Sequence, residues 1–319
     1  MSVWLIGADV LARSRFAVSP LIETVAALKA LGGHGTHPGQ RSWLEAHRPG
    51  YRARLAADPF AAAFVKVAFR PRWVADFVVT PPSQTDGGFA EEVGQVRATP
   101  PDVARADLAT DWPGPLPPEL RGDDVSERVA DLFEWVWHGT VLPDWPRRRQ
   151  LLEADIVSRT HQVSSGGWAA ALDGMRKGMR WLDNGELQIN GYDHPPRDLA
   201  GSRLLFIPTT SRRGWVGQGE QRYAVVYPCS GLLADPSIIA PPQALSALLG
   251  PVRAIILTQL ESPKTTTQLV ALTGYGLGSV GGHLRVLRDA RLVWRRRSGR
   301  TVLYQRTGGG DQLVEMGAR

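Results

Sequence analysis

Residues 265–306 read TTTQLVALTGYGLGSVGGHLRVLRDARLVWRRRSGRTVLYQR, and this stretch decides the fold of the C-terminal part of the chain. Thr265-Thr-Thr-Gln268 is a capping box, in which a hydroxyl and an amide oxygen satisfy each other's backbone N–H groups at a helix start. A second helix follows Gly274, with an apolar stripe at helical spacing formed by Leu277, Val280, Leu284 and Leu287. Two short helices joined by a tight turn that contains glycine predict a helix-turn-helix.

Two β-prone runs follow the second helix, at residues 292–297 and 301–306, and Ser298-Gly299-Arg300 separates them. Runs of this kind around a glycine turn predict a β-hairpin. From Arg285 to Arg306 the chain has eight arginines and one acidic residue, Asp289. The coincidence of these features predicts DNA binding, with the second helix in the major groove and the hairpin at flanking phosphates or the minor groove.

The positive charge of the chain is concentrated in this region. The 319 residues leave room for about two domains of ~100–200 residues. The net charge is +6, and residues 241–319 hold 11 basic residues against 4 acidic ones, whereas the first 240 hold 26 against 27. With Ala240-Pro241-Pro242 as the boundary, we predict an effector-binding or dimerisation domain at residues 1–240 and a winged helix-turn-helix domain at residues 241–319.

The N-terminal part has mainly helical patterns. They cover residues 8–31, 59–69, 124–138 and 151–182, with breaks at Ser19-Pro20 and Gly166-Gly167. The β-branched content of residues 59–69 also allows a strand there. Short β-like runs occur at residues 3–6, 204–208 and 223–227, the last two on either side of the turn-rich residues 209–221. The predicted fold class is therefore α+β, mostly α with small β elements, with a large helical N-terminal domain.

The composition excludes several protein classes. The longest apolar stretch, Phe60 to Phe69, is interrupted by Lys66 and is shorter than the ~20 residues of a membrane-spanning helix. The first residues lack the basic and long apolar regions of a signal peptide. Cys229 is the single cysteine, which excludes an internal disulfide and a Cys-pair metal site. We expect a cytoplasmic protein with no membrane partner.

Motifs for nucleotides, metals and catalysis are weak. The residues from Gly276 to Gly281 match G-x-G-x-x-G, but a predicted helix precedes them instead of a strand, and no acidic residue follows at the required distance. His34-x-x-His37 lies in a glycine-rich loop, and solvent exposure explains it. No arrangement of Ser, His and Asp suggests a nucleophile. We expect no cofactor, no metal site and no catalytic residue.

The C-terminal motifs resemble a known family. Residues 244–257 (ALSALLGPVRAIIL) and 279–288 (SVGGHLRVLR), together with Leu292-Val293 and the hairpin, resemble the ArsR-type winged helix-turn-helix of bacterial transcriptional regulators over roughly residues 243–307. The resemblance implies a homodimer that binds an inverted-repeat operator in double-stranded DNA, usually as a repressor released by an effector. Segments of the N-terminal part more weakly resemble an actinobacterial domain of unassigned function found ahead of such modules.

Three positions depart from the family pattern. Gly281-Gly282 stands in the second helix where the family has a small residue and then a polar one, and the glycines remove base-reading side chains. Arg291 stands where the family prefers glycine, a strained left-handed position if the same cap forms. The chain after the hairpin, from Gly308, is short and rich in glycine, without the long C-terminal dimer helix of the family. We expect the N-terminal domain to help to hold the dimer.

DNA contacts are expected from polar and basic residues of the helix-turn-helix and the hairpin. Ser279, His283 and Arg285 are expected to approach base edges, and the arginines to contact phosphates. The complete set is Thr265, Thr266, Thr267, Ser279, His283, Arg285, Arg288, Arg295, Arg296, Arg297 and Arg300.

Ten of the eleven tryptophans precede residue 241, and ligand cavities are largely apolar and aromatic. We therefore predict a pocket for a small organic effector with walls from Trp135, Trp137, Trp168 and Trp181. Two alternatives remain open at this point. The N-terminal domain could serve only as an interaction or oligomerisation platform of a ligand-independent, architectural DNA-binding protein. It could also be an enzyme fused to a DNA-binding module, which has the least support.

Overall fold

A computed structural model describes residues 2–34, 40–71, 73–83, 87–173, 175–182, 185–191, 195–219, 221–229, 241–261, 263–273, 275–298 and 301–317. The chain divides into two compact units. One, the N-terminal unit, comprises Met1–Pro146 and Arg159–Cys229, and the other, the C-terminal unit, comprises Arg147–Ser158 and Ser230–Arg319. Ala240, at the predicted domain boundary, lies outside the described residues, so the boundary stays a prediction.

Helices dominate the first half of the chain. They are α1 (Ala8–Arg13), α2 (Pro20–Leu31), α3 (Arg41–Ala57), α4 (Pro59–Ala68), α5 (Phe89–Arg97), α6 (Pro101–Ala109), α7 (Val125–Val136) and α8 (Trp145–Leu172). A π-helix, Trp137–Val141, follows α7, and short 3₁₀ turns occupy Asp76–Val78, Pro118–Leu120 and Leu142–Asp144. Residues Arg147–Ser158 of α8 belong to the C-terminal unit, and the residues from Arg159 onward belong to the N-terminal unit.

The strands described in the N-terminal unit form three sheets. They are β1 (Ser2–Leu5), β2 (Arg15–Phe16), β3 (Phe69–Arg70), β4 (Trp73–Val74), β5 (Arg180–Leu182), β6 (Glu186–Asn190), β7 (Arg197–Asp198), β8 (Arg203–Thr209), β9 (Trp215–Gly219) and β10 (Arg222–Pro228). One sheet has the order β5-β6-β1-β7, one has the order β2-β8-β10-β9, and β3 pairs with β4. The predicted α+β fold class is confirmed.

Local capping signals start two of the helices. The Ser19 hydroxyl accepts a hydrogen bond from the Ile22 N–H at 3.1 Å, and Pro20 takes the first helical position of α2, as predicted. Asp58 caps α4 in the same way by accepting from the N–H groups of Phe60 and Ala61. Each cap satisfies backbone donors that have no partner inside the helix.

The central sheet is buried on both faces. β8 and β10 run parallel, with Leu205 opposite Ala224 and Ile207 opposite Val226. Successive side chains of a strand point to opposite faces, so each strand feeds two cores. Leu205, Ile207, Ala224 and Val226 join the first core, which helices α2 to α7 supply, whereas Leu204, Phe206, Val225 and Tyr227 join the second, built with β1, β6 and the end of α8.

Several segments differ from the sequence prediction. Arg15-Phe16, within the residues 8–31 predicted as helical, form β2 and pair parallel with β8. α8 has the predicted break at Gly167 (φ 74°), but it ends at Leu172 and not at Leu182. The sequence predicts helix at residues 180–182, and this is wrong: they form β5 and pair antiparallel with β6. The residues predicted as turns between β8 and β10 contain β9, which pairs antiparallel with β10.

The C-terminal unit has helices around a small sheet. After the α8 segment come α9 (Gln243–Leu249), α10 (Pro251–Gln259), β11 (Lys264–Thr265), α11 (Thr266–Thr273), α12 (Leu277–Asp289), β12 (Val293–Ser298), β13 (Thr301–Arg306) and α13 (Gly308–Gly317). The sheet order is β11-β13-β12. The core residues are Ile256, Leu257, Leu260, Leu269, Val280, Leu284, Leu287 and Val293. The glycine-rich residues after the hairpin form a ten-residue helix that the sequence did not predict.

A buried glutamate joins α5 to the start of α2. One carboxylate oxygen of Glu92 accepts from the Ser19 hydroxyl at 2.6 Å and from the Leu21 N–H at 2.9 Å. The other oxygen, Oε1, is buried and has no hydrogen-bond partner in the described part of the chain. Burial raises the pKa of Glu92 to about 7, although the bonds from Ser19 and Leu21 oppose this.

We expect Glu92 to make stability depend on pH. A carboxyl group with a raised native pKa favours the fold below its unfolded pKa, and this contribution is lost as pH rises through the native pKa. Between about pH 4.5 and 7 the loss is on the order of 3 kcal/mol. Glu92→Gln is expected to flatten the fall of the melting temperature over this range.

Thermal unfolding of the full chain from pH 5 to 8 measures this effect. Glu45→Gln, which changes an exposed carboxylate on α3, is the matched control and should keep the native pH profile. A Glu92→Gln profile parallel to the native one would contradict the assignment.

Candidate nucleic-acid interface

The predicted capping box forms at the start of α11. The Thr265 hydroxyl accepts from the Gln268 N–H at 3.0 Å, and the Gln268 side-chain oxygen accepts from the Thr265 N–H. The Gln268 amide group also donates to the Ala154 carbonyl on the α8 segment of the same unit. The Thr265 hydroxyl is therefore engaged in the cap. Thr266 is half-buried in the first turn, and the side chain of Thr267 lies outside the described residues.

α12 has the two faces of a recognition helix. Val280, Leu284 and Leu287 are buried in the core, as predicted. Leu277 was also predicted to face the core, and this is wrong, because it is 62% exposed. It is the first residue of α12, and the core begins one turn later at Val280. On the opposite face Ser279, Gly282 and Arg285 are exposed, and His283 is half-buried.

The two glycines of α12 are not required by packing. A Cβ atom built on Gly281 or Gly282 would have no heavy atom within 4 Å, apart from the helix's own neighbouring backbone. Both residues have ordinary helical geometry, because neither is among the residues with positive φ. Their effect is to leave a strip of helix backbone without side chains beside Ser279 and Arg285.

α12 ends in a Schellman cap with arginine at the left-handed position. The Leu292 N–H donates to the Leu287 carbonyl at 2.9 Å, and the Arg291 N–H donates to the Arg288 carbonyl at 2.8 Å. Arg291 has φ 58°, in the region that costs a residue with a Cβ about 1–2 kcal/mol. The strain that the sequence predicted at this residue is confirmed.

The hairpin presents its arginines to solvent. β12 and β13 are antiparallel, with Arg295 opposite Tyr304 and Arg297 opposite Val302. Arg295, Arg296 and Arg297 are all exposed, and alternation along the strand sends Arg296 to the face opposite its two neighbours. Arg300, at the predicted tip, lies outside the described residues.

The exposed arginines differ in their acidic partners. Arg288 pairs with its neighbour Asp289 at 3.0 Å. Arg285, Arg295 and Arg296 make no ion pair with any residue that the structure describes. The interface thus combines a polar helix face with guanidinium groups that are available to phosphate oxygens.

The α8 segment was missed by the sequence analysis. Leu151 and Leu152 are buried, as are Arg148 and Asp155, and the segment meets α11 through the Ala154 carbonyl. The sequence predicts only a long helix from residue 151 onward, and no local signal indicates that this helix packs in the same unit as residues a hundred positions later.

The four tryptophans predicted as effector contacts lie in two separate cores. Trp137 stacks on Phe89, with 4.6 Å between ring centroids, and Trp135 packs against the same core. Trp168 and Trp181 pack against the other core, where Trp168 stacks on Phe16. The central sheet separates these pairs, so the structure does not bring the four together.

The described residues hold no group of three or more His, Cys, Asp or Glu side chains that could bind a metal ion. His34 is exposed, and His37 lies outside the described residues. Cys229 is buried at the end of β10.

Residues 250–294 match a family model described as bacterial regulatory protein, arsR family. The matched stretch covers α10, α11, α12 and the first residues of β12. No curated protein and no solved structure matches the chain. In the described part of the chain, no helix combines the length and apolar character that a bilayer crossing requires. The C-terminal unit thus contains an ArsR-type DNA-binding domain, and the chain is a DNA-binding transcription regulator.

Arg291→Gly is expected to stabilise the end of α12 by roughly 1 kcal/mol, because glycine adopts a positive φ without strain. Hydrogen exchange of the α12 amides in the full chain measures this local stability. Arg291→Ala is the matched control, since it removes the guanidinium but keeps the Cβ atom. Equal protection in the glycine and alanine variants would show that the conformation of Arg291 is not strained.

Proposed function

We propose that this regulator, with its ArsR-type domain at residues 250–294, is a homodimeric repressor whose operator binding responds to a small organic effector. The observation that carries the proposal is the exposed face of α12 beside the hairpin arginines. Ser279, His283 and Arg285 approach base edges, and Arg288, Arg295, Arg296, Arg297 and Arg300 hold phosphates. Thr265, Thr266 and Thr267 help to set the helix start near the DNA backbone.

Two neighbouring helices support the homodimer. α13 packs against α9, where a Cβ atom on Gly317 would lie 3.1 Å from the Leu245 Cβ. Leu248 on α9 and Met316 on α13 are both largely exposed apolar residues. A twofold contact through these helices would pair the recognition helices for half-sites about one DNA turn apart.

The N-terminal unit is the proposed place of the effector. It is near neutral in charge and larger than a dimer contact needs, and two aromatic cores flank its central sheet. Trp135 and Trp137 on one side and Trp168 and Trp181 on the other are two alternative sets of pocket walls. Effector binding would change the spacing of the recognition helices in the dimer.

One observation favours a second candidate function. Gly281 and Gly282 leave the reading face of α12 with few side chains, which suits a ligand-independent architectural protein that binds DNA with little sequence preference. The ratio of the affinities for the two kinds of DNA, upstream and scrambled, distinguishes the two candidates. Several-hundredfold tighter binding to DNA from upstream of its own gene than to scrambled DNA supports the regulator, and equal affinity for many unrelated DNAs supports the architectural protein.

Arg285→Ala is expected to weaken binding to the operator by about 1–3 kcal/mol, because a base contact and its charge are lost. Binding to scrambled DNA should fall much less. Fluorescence anisotropy over a range of salt concentrations measures both. Arg52→Ala, which removes an exposed arginine on α3, is the control and should bind as the native protein does. An equal loss on both DNAs would contradict the role of Arg285 as a base reader.

Leu248→Glu and Met316→Glu are each expected to shift the protein from dimer to monomer, because a charge would be buried in an apolar contact. Sedimentation velocity measures the change. Val103→Glu, at a half-exposed valine of α6, is the matched control and should remain dimeric. Dimers that persist in both variants would place the contact elsewhere.

A further inference from the structure

The N-terminal unit contains a group of side-chain donors that lack acceptors. Lys29 lies in the last turn of α2, Trp215 begins β9, and Arg213 lies in the loop before it. None of the three side chains makes a hydrogen bond or an ion pair with any residue that the structure describes. This group of three is called the donor cluster below.

The Lys29 amine lies among aromatic rings. Its Nζ atom is 5.5 Å from the ring centroid of Trp215 and 5.7 Å from that of Phe69. Burial, and to a smaller extent the positive charge of Arg213, together lower the pKa of Lys29 to about 8. Cation–π contact compensates only part of the lost hydration. Lys29 therefore has a second cation, Arg213, in its environment and no ion pair with a carboxylate that the structure describes.

Trp215 adds a donor that is not charged. Its side chain is 7% exposed, and its indole nitrogen is buried with no hydrogen-bond partner among the residues that the structure describes. Such orphaned donors are rare in folded proteins because they lose hydration without compensation. The indole N–H, the lysine ammonium group and the arginine guanidinium group donate hydrogen bonds and accept none. A ligand that satisfies the whole cluster must therefore supply hydrogen-bond acceptors.

The loop that carries Arg213 is fixed to the helix that carries Lys29. The fully buried carboxylate of Glu23 on α2 accepts from the Thr209 hydroxyl and the Thr210 N–H, both at 2.7 Å, and from the Thr210 hydroxyl at 2.8 Å. At the other end of the loop, a Cβ atom on Gly214 would lie 2.1 Å from the Val226 carbonyl, so only glycine fits. The backbone of the loop that carries Arg213 is thus held in place without a ligand.

We propose that Lys29, Arg213 and the Trp215 N–H bind the carboxylate or phosphate group of a small organic anion, with its apolar part against Phe69 and Trp215. Arg213 is exposed and Lys29 is half-buried, so a ligand can reach these two donors from solvent, whereas the Trp215 nitrogen lies beneath them in the buried part of the unit. The identification of this anion as the effector rests on the proposed function, whereas the binding site does not. The site differs from both tryptophan pairs predicted from the sequence.

Isothermal titration calorimetry of the full chain without DNA tests the site, with benzoate, phenyl phosphate and benzamide as probes. Benzamide has nearly the shape of benzoate without its charge. Saturable binding of benzoate, of phenyl phosphate or of both is expected, and it identifies which anionic group the site takes. Benzamide is expected not to bind. Absence of binding by both anions at millimolar concentration, or equal binding of benzamide, overturns the proposal.

Variants locate the binding. Lys29→Met should weaken anion binding at least tenfold, and Trp215→Phe severalfold, since phenylalanine keeps a ring but has no N–H. Lys66→Met, at an exposed lysine of α4, is the matched control and should bind as the native protein does. Lys29→Met removes a partly buried amine, so the melting temperature of this variant should equal or exceed that of the native protein. Arg213→Gln, at an exposed position, provides a second variant that keeps the fold.

The outcomes separate this site from the proposed function. Native affinity in both Lys29→Met and Arg213→Gln overturns the site. An anion that binds through the cluster but leaves DNA affinity unchanged supports the site and rejects its role in regulation. An anion that fails to bind leaves the DNA-binding measurements, and with them the repressor, to be judged separately.

Discussion

The parallel pairing of β8 and β10 is the constraint on which the N-terminal unit depends. A parallel pair in the middle of a sheet must be covered on both faces, because neither face can be left to water without exposing an apolar surface. Successive residues of a strand, such as Phe206 and Ile207, enter different cores. Helices α2 to α7 cover one face, and β1, β6 and the end of α8 cover the other. The strand register therefore determines which side chains face each core, and so which helices pack on each face of the sheet.

The same sheet determines where a ligand could bind. It separates Trp137 from Trp168, so a count of tryptophans overestimates how many can share one pocket. The donor cluster lies on the helical side, where β9 brings Trp215 against Lys29. Glu23 ties this edge together through hydrogen bonds to residues more than 180 positions away. A buried carboxylate with full hydrogen bonding gives the loop one defined position.

The parts that could be predicted from the sequence are those set by local chemistry. The Thr265–Gln268 box, the Ser19 cap, the break at Gly167 and the strain at Arg291 each involve residues a few positions apart, and the structure has all four. The exposure of Leu277 could not be predicted, because helical spacing does not show where the core ends. The donor cluster gives no sequence signal, since its three members come from α2, from the loop before β9 and from β9, and α2 lies more than 180 positions before the other two.

The departures of α12 from its family pattern lie at its exposed surface. Gly282 weakens the helix, Arg291 strains its cap, and both lie on or beside the exposed surface rather than in the core. Costs of this kind persist where another requirement outweighs stability. A helix face without side chains can approach DNA closely, but it reads few bases directly. Affinity would then come mainly from the phosphate contacts of the arginines, and specificity from DNA shape and from the fixed spacing of two recognition helices. In the proposed homodimer, that division would make the spacing of the two recognition helices the quantity that the proposed effector has to change.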